Sequence, residues 1–163
     1  MDRPRTLVLG LGNLSRRDDG LGWFAVNAVR AHFGRAPLSE RDDGLDCLGH
    51  EVDTAFVPQL SPELAETASR YDRLVLVDAR VVGEEEVRVD EVDAGAVPSS
   101  RLLTHEMYAG EFISLINVLY GKRPWAYLVS AGGRDYDFGV GLSGAMQGLL
   151  PALIERVLGL IPE

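Results

Sequence analysis

Two rhythms alternate along the chain: short continuous apolar runs and longer segments with helical spacing. Thr6 to Leu9 is an apolar run that ends at Gly10, as a buried strand does where the backbone must turn. After Gly22, the apolar positions Ala25, Val26, Val29 and Phe33 follow helical spacing, so Gly10 to Gly22 joins a strand to a helix. The stretch from Gly34 to Asp46 is rich in Gly, Pro, Ser and charge and reads as a surface loop. A second strand is expected somewhere between Cys47 and Val57. Ser61 followed by Pro62 predicts a helix N-cap with proline in the first turn and a helix to about Arg70. Leu74 to Val77 has the continuous apolarity of a central strand covered on both faces.

The charges at Arg88, Asp90 and Glu91 make Val87 to Val92 an edge strand, and the Glu84 to Glu86 run before it reads as a solvated turn. Thr104 is placed to cap a helix running to Tyr120, with Phe112, Leu115, Ile116 and Leu119 inward and Gly121 and Pro124 ending it. Trp125 to Ala131 is a fifth strand. Ser143 caps a last helix whose stripe is Met146, Leu149, Leu150, Leu153, Ile154, Val157 and Leu158, with a bend expected at Pro151. Strands alternating with helices predict a three-layer α/β fold: about five strands in a mostly parallel, twisted sheet with helices on both faces. Sites in such folds lie beyond the carboxyl ends of the strands. No internal repeat or boundary divides the chain, so residues 1–163 are read as a single domain.

Composition narrows the function classes. The 163 residues suffice for a core of their own, and 46% hydrophobic with 25% charged residues is an ordinary globular balance. With 25 acidic against 16 basic residues, the net charge of -9 repels phosphate backbones and anionic lipid, so nucleic acid is excluded as a partner. No apolar run approaches the roughly 20 residues that span a bilayer, and the polar start lacks a secretory leader's pattern. Cys47 is the only cysteine, so neither an intrachain disulfide nor a thiolate-rich zinc site can be built. A cytoplasmic, membrane-free monomer is expected.

Three ionisable residues fall where this architecture puts functional groups: Asp19 in the loop after the first strand, Asp78 at the tip of the central strand, and His105 at a helix start. Two carboxylates and an imidazole suit a borderline divalent ion and leave coordination positions open. Each has a plainer reading. Asp19 also suits an N-cap or a partner of the helix dipole. Asp78 loses solvation after four apolar positions unless it is paired or functional, and His105 alone also suits a solvated histidine. Gly10 and Gly12 lack the third glycine of a dinucleotide fingerprint, since position 15 is serine. The run from Gly141 to Ala145 only approximates a nucleophile elbow, so Ser143 is a helix cap before it is a nucleophile. Cys47 is given no catalytic role.

The segment Gly10, Leu11, Gly12, Asn13 followed by Asp18, Asp19, Gly20 and Gly22 resembles the opening motif of the hydrogenase maturation proteases. The resemblance continues through Gln59 to Glu63, Val77 to Ala79, Thr104 and His105, Leu119 to Gly121, and Phe138, Gly139, Leu142 and Ser143. It implies an endopeptidase that removes a C-terminal extension from the precursor of a nickel-iron hydrogenase large subunit once nickel is in place. Asp19, Asp78 and His105 are then its metal contacts and catalytic residues, and the nickel is presented by the substrate. Two departures stand out. The first acid is aspartate where some members have glutamate, and Val52, Asp53, Thr54 and Ala55 replace a glycine-rich loop found in many. The alternatives are a serine-type hydrolase using Ser143, His105 and Asp78, and a non-enzymatic metal-delivery or chaperone module.

Overall fold

The computed structural model describes residues 2–81, 83–94 and 107–163. In chain order the elements are β1 (Thr6–Leu11), α1 (Leu21–His32), β2 (Val52–Val57), α2 (Leu64–Ala68), β3 (Arg73–Arg80), β4 (Val87–Glu91), α3 (Ala109–Tyr120), β5 (Trp125–Gly132) and α4 (Gly144–Gly159). The five strands form one sheet in the order β2-β1-β3-β5-β4. All neighbours are parallel except β4, which runs antiparallel along β5 at the edge. This is the expected α/β fold.

Alternation along the strands divides the core in two. Leu7, Leu9 and Leu11 of β1 join Leu74 and Leu76 of β3 against Ala65 and Ala68 of α2 and Phe112, Ile113 and Ile116 of α3. On the other face, Val8, Val75, Val77 and Val129 pack against Val26 and Val29 of α1 and Met146, Leu153 and Val157 of α4. The sheet is therefore the middle of three layers. The central strands β1, β3 and β5 carry apolar side chains to both faces, which explains their continuous apolar runs.

Three helical expectations need correction. α2 is a short helix that begins only at Leu64, and its N-cap position is Glu63 rather than Ser61. α3 begins at Ala109 because Tyr108 is extended, its N–H being taken by the Glu111 carboxylate; Thr104 lies outside the described residues. Leu119 is exposed while Ile113 is buried, a rotation of the buried stripe that lets α3 present Val118, Leu119 and Tyr120 to solvent. Phe33 likewise falls at the exposed C-cap of α1 rather than in the core. α4 runs through Pro151, and Ser143 caps it by accepting a hydrogen bond from the Met146 N–H.

The residues that stand in place of a glycine-rich loop, Val52 to Ala55, are in fact the body of β2. Asp53 is fully buried there, where its carboxylate accepts hydrogen bonds from Tyr71, the Gly49 and His50 N–H groups, and Arg5. Burial alone would raise its pKa, but these donors hold it below the ordinary carboxylate range. Glu84 to Glu86 are exposed, as expected of a turn, yet they are engaged: the Glu84 and Glu86 carbonyls accept from the Arg80 guanidinium and the Glu86 carboxylate pairs with Arg88.

The loop between β1 and α1 owes its shape to two glycines in contact. A Cβ on Gly10 would sit 2.5 Å from the Gly22 carbonyl oxygen, and one on Gly22 would sit 2.7 Å from the Leu11 nitrogen and 2.9 Å from the Gly10 Cα. Backbone meets backbone here, so no rotamer change can relieve a clash. Gly22→Ala is expected to destabilise the protein by about 3 kcal/mol, as for overpacking against rigid neighbours, measured as a lower midpoint in chemical denaturation. A wild-type midpoint would show that α1 can slide away from the strand.

Candidate active site

The order of the strands locates the site. From β1 the chain crosses through α1 to β2 on one side, then through α2 to β3 on the other side of β1. The two crossover helices pack on opposite faces, so a crevice opens beyond the carboxyl ends of β1 and β3, where open α/β sheets hold their ligands. A cavity of about 420 Å³ occupies that position, and Asp19, Asp78, Arg16, Gln59, Met107 and Tyr136 are among its lining residues.

Asp19 belongs to a single 3-10 turn, Arg17–Gly20, just before α1. Its carboxylate accepts a hydrogen bond of 2.9 Å from the Asn13 N–H, so it braces its own loop rather than capping the helix. Gly12 makes room for it, with a φ of 132° and no space for a Cβ, which would lie 2.1 Å from the Asp19 carbonyl oxygen. Asp78 comes from β3 itself. The strand continues two residues past it to Arg80, so Asp78 lies within the strand's last turns of pleat rather than at its tip. By alternation it shares the face of Leu74 and Leu76, and it stands beside Ser130 of β5. One carboxylate oxygen accepts from the Ala79 N–H at 2.8 Å.

The structure thus brings Asp19 and Asp78 to the wall of one cavity. His105 lies outside the described residues, and among the described residues no three His, Cys, Asp or Glu side chains form a metal-binding group. Burial raises the Asp19 pKa, with the Asn13 hydrogen bond and the Arg16 charge opposing it. Tyr136, which hydrophobic patterning could not single out, is the other titratable group on the wall. Its pKa is pushed up to about 12, by burial first and then by the negative charges of Asp18, Asp19 and Asp78. At neutral pH it is therefore a hydroxyl that can donate, and it donates to the Arg80 carbonyl at 2.7 Å. Cys47 is exposed and remote from this wall, on the turn before β2.

The residue that organises the cavity is the neighbour of the expected acid. Asp18 is fully buried, and its carboxylate accepts hydrogen bonds from the backbone N–H of Arg134 (2.8 Å), Asp135 (3.1 Å) and Ser143 (2.7 Å) and from the Ser143 hydroxyl (2.8 Å). It ties the loop after β1 to the loop after β5 and to the start of α4. The Ser143 hydroxyl is committed twice, donating to Asp18 and accepting from Met146, which leaves it poorly suited to act as a nucleophile. Burial pushes the Asp18 pKa up, but the four hydrogen bonds outweigh it and hold the carboxyl below the ordinary range.

Because the folded pKa is depressed, Asp18 contributes its full stability above the unfolded value of roughly 4 and loses it as pH falls through the lower folded value. Asp18→Ala leaves buried donors without an acceptor and is expected to cost about 3 kcal/mol or more near neutral pH. In denaturant titrations at several pH values the variant should also lose the part of the acid destabilisation below about pH 4 that comes from this carboxyl. An unchanged midpoint would remove Asp18 from its organising role.

No protein-family model matches the chain. The hydrogenase expression/formation protein HupD of Rhizobium leguminosarum bv. viciae is 26% identical over 160 residues, which cover 95% of this chain and 73% of that protein. The hydrogenase maturating endopeptidase HybD from E. coli superposes with a TM-score of 0.69 at 20% identity, over 95% of this chain and 90% of that one. The [NiFe] hydrogenase maturation protease HybD from Thermococcus kodakarensis does so with 0.64 at 20% identity, over 97% and 99%. Structural likeness at these identities establishes the fold, while the HupD match runs through nearly the whole sequence. The chain is thus similar in sequence to HupD and shares its fold with the hydrogenase maturation endopeptidases.

Proposed function

We propose that the protein is an endopeptidase that removes a C-terminal extension from the nickel-loaded precursor of a nickel-iron hydrogenase large subunit. The observation that carries this reading is the meeting of Asp19 and Asp78, from two different strand ends, on the wall of the cavity at the sheet's crossover point. Asp19, Asp78 and His105 contact the metal that the precursor presents. Two carboxylates and an imidazole are a hard-to-borderline set without thiolate, suited to recognising an ion that keeps its other ligands on the substrate. The contact then supplies orientation as well as affinity, because it fixes the scissile peptide against the cavity wall. A carboxylate is the available general base, and the substrate's ion supplies polarisation of water or of the peptide carbonyl.

Metal gating gives the sharpest test. Nickel-loaded precursor is expected to be cleaved and nickel-free precursor left intact, by mass spectrometry of matched samples with metal content measured before and after. Equal cleavage of both would defeat the gating. An intact C-terminus on both would favour the non-enzymatic delivery module.

The site assignment is tested separately. Asp19→Asn, Asp78→Asn and His105→Ala are each expected to lower processing by about a hundredfold or more, the scale on which metal-site substitutions act. Thermal unfolding should move little, since the two aspartates are only half-buried. Near-normal processing by one variant takes that residue out of the site, and Ser143→Ala with full activity in a folded protein would exclude the serine mechanism.

A further inference from the structure

A second cavity, about 380 Å³, adjoins the acidic one and shares two of its walls, Gly12 and Pro58; it runs past Asn13 and Phe56 to Val140. The surface around Val140 in sequence is unusual. Phe138 is 85% exposed and Val140 53%, the first being the most exposed large apolar side chain among the described residues. Apolar side chains on a mobile loop tip would fold down, yet this segment is pinned. Gly139 pairs with the β1 loop in both directions, its carbonyl accepting from the Arg17 N–H and its N–H donating to the Ser15 carbonyl, each at 2.9 Å. Its φ of 146° leaves no comfortable place for a side chain, and a Cβ would lie 3.1 Å from the Arg17 guanidinium. The Arg16 guanidinium stands 5.6 Å from the Phe138 ring centre, and its Nε donates to the Tyr136 carbonyl.

The fold therefore holds an aromatic ring and a branched aliphatic side chain in water on a pinned backbone, Val140 lining the second cavity and Phe138 lying against Arg16, which lines the first. Exposure without freedom is what a docking shelf requires, because the ordering cost is already met before anything binds.

We propose that Phe138 and Val140 are the seat for the stretch of precursor polypeptide flanking the bond that is cut, and that the seat takes an apolar side chain of that stretch. The proposal rests on the endopeptidase reading, which supplies the occupant, and on the continuity of the two cavities, which supplies the path. The chain enters along Gly12 and Pro58, where small and ring-closed residues leave the channel floor open, and reaches the carboxylates with its backbone extended. Arg16, charged and within the field of Asp19, lies between the shelf and the acids and is placed to meet a carbonyl of the passing peptide.

The experiment compares processing kinetics of nickel-loaded precursor by the wild type, Phe138→Ala and Phe138→Leu. Phe138→Ala should raise KM about tenfold with kcat nearly unchanged, since it removes binding surface and no reacting group. Phe138→Leu should restore most of the loss. In parallel, a synthetic peptide spanning the extension junction is titrated into the ¹⁵N-labelled wild type, with amide shifts expected at Gly139, Val140 and Ser15. Wild-type processing with an unchanged KM in Phe138→Ala overturns the shelf and leaves the peptidase reading standing. Amide shifts confined to residues away from 138–140 overturn it as well, and so does a change of oligomeric state in Phe138→Ala with KM unaltered, which would make the shelf a contact between copies of this chain. If the wild type cleaves neither precursor, the peptidase reading fails, and amide shifts at the shelf that vanish in Phe138→Ala would still support peptide docking there.

Discussion

A single buried carboxylate, that of Asp18, holds together the parts from which the site is made. It takes the N–H groups of Arg134 and Asp135 from the loop after β5 and the N–H and hydroxyl of Ser143 from the start of α4, and its own backbone sits in the turn after β1. These segments are far apart in sequence, and the pairing of Gly139 with Ser15 and Arg17 adds to the same fastening. An ionised group in the interior is tolerable only when its oxygens are fully supplied with donors. Asp18 meets that condition, so the charge itself becomes the fastening. The next residue in the chain, Asp19, is thereby presented to the cavity with an orientation that its own single hydrogen bond to Asn13 could not impose.

The adjacent acids divide the labour by environment. Asp18 points inward to a set of donors that hold its carboxyl below the ordinary range despite burial; Asp19 points to the cavity, where burial works against its charge. Two identical side chains on one 3-10 turn thus have pKa values moved in opposite directions. Tyr136 adds a third element, a hydroxyl kept protonated first by its burial and then by the negative charges of Asp18, Asp19 and Asp78. The wall thus carries two carboxylates, one neutral hydroxyl and, from Arg16, one guanidinium.

Much of this was legible in the residues themselves. Leu74 to Val77 could only be a central strand, the charges of Val87 to Glu91 marked the edge, and the stripe from Met146 to Val157 specified α4, because each pattern reflects burial that local sequence records. Asp19 and Asp78 were visible from their positions after apolar strands. What failed was whatever depended on distant partners. A strand between Cys47 and Val57 was expected, but not how it buries Asp53 and Thr54, whose partners Arg30, Tyr71 and Arg5 lie far away along the chain. Asp18 drew no role of its own from the sequence, since nothing local shows that Ser143 and Arg134 will converge on it. The start of α3 was misplaced for the opposite reason, a local one: Glu111 satisfies the Tyr108 N–H and lets the helix begin later than Thr104.

The contact between Gly10 and Gly22 has a topological meaning. Because the backbone touches itself at those two points, everything between them is a closed loop of the omega type, with its ends joined by van der Waals contact rather than by a ladder of hydrogen bonds. Such a loop carries its own interior, here Leu14 and Asp18, both buried. Its closure entropy is met once, at the glycine neck, and no longer depends on whether the cavity is filled. The acid-bearing segment is therefore a loop clamped twice, at its glycine neck and by the bonds of Asp18 to Arg134, Asp135 and Ser143 and of Ser15 and Arg17 to Gly139.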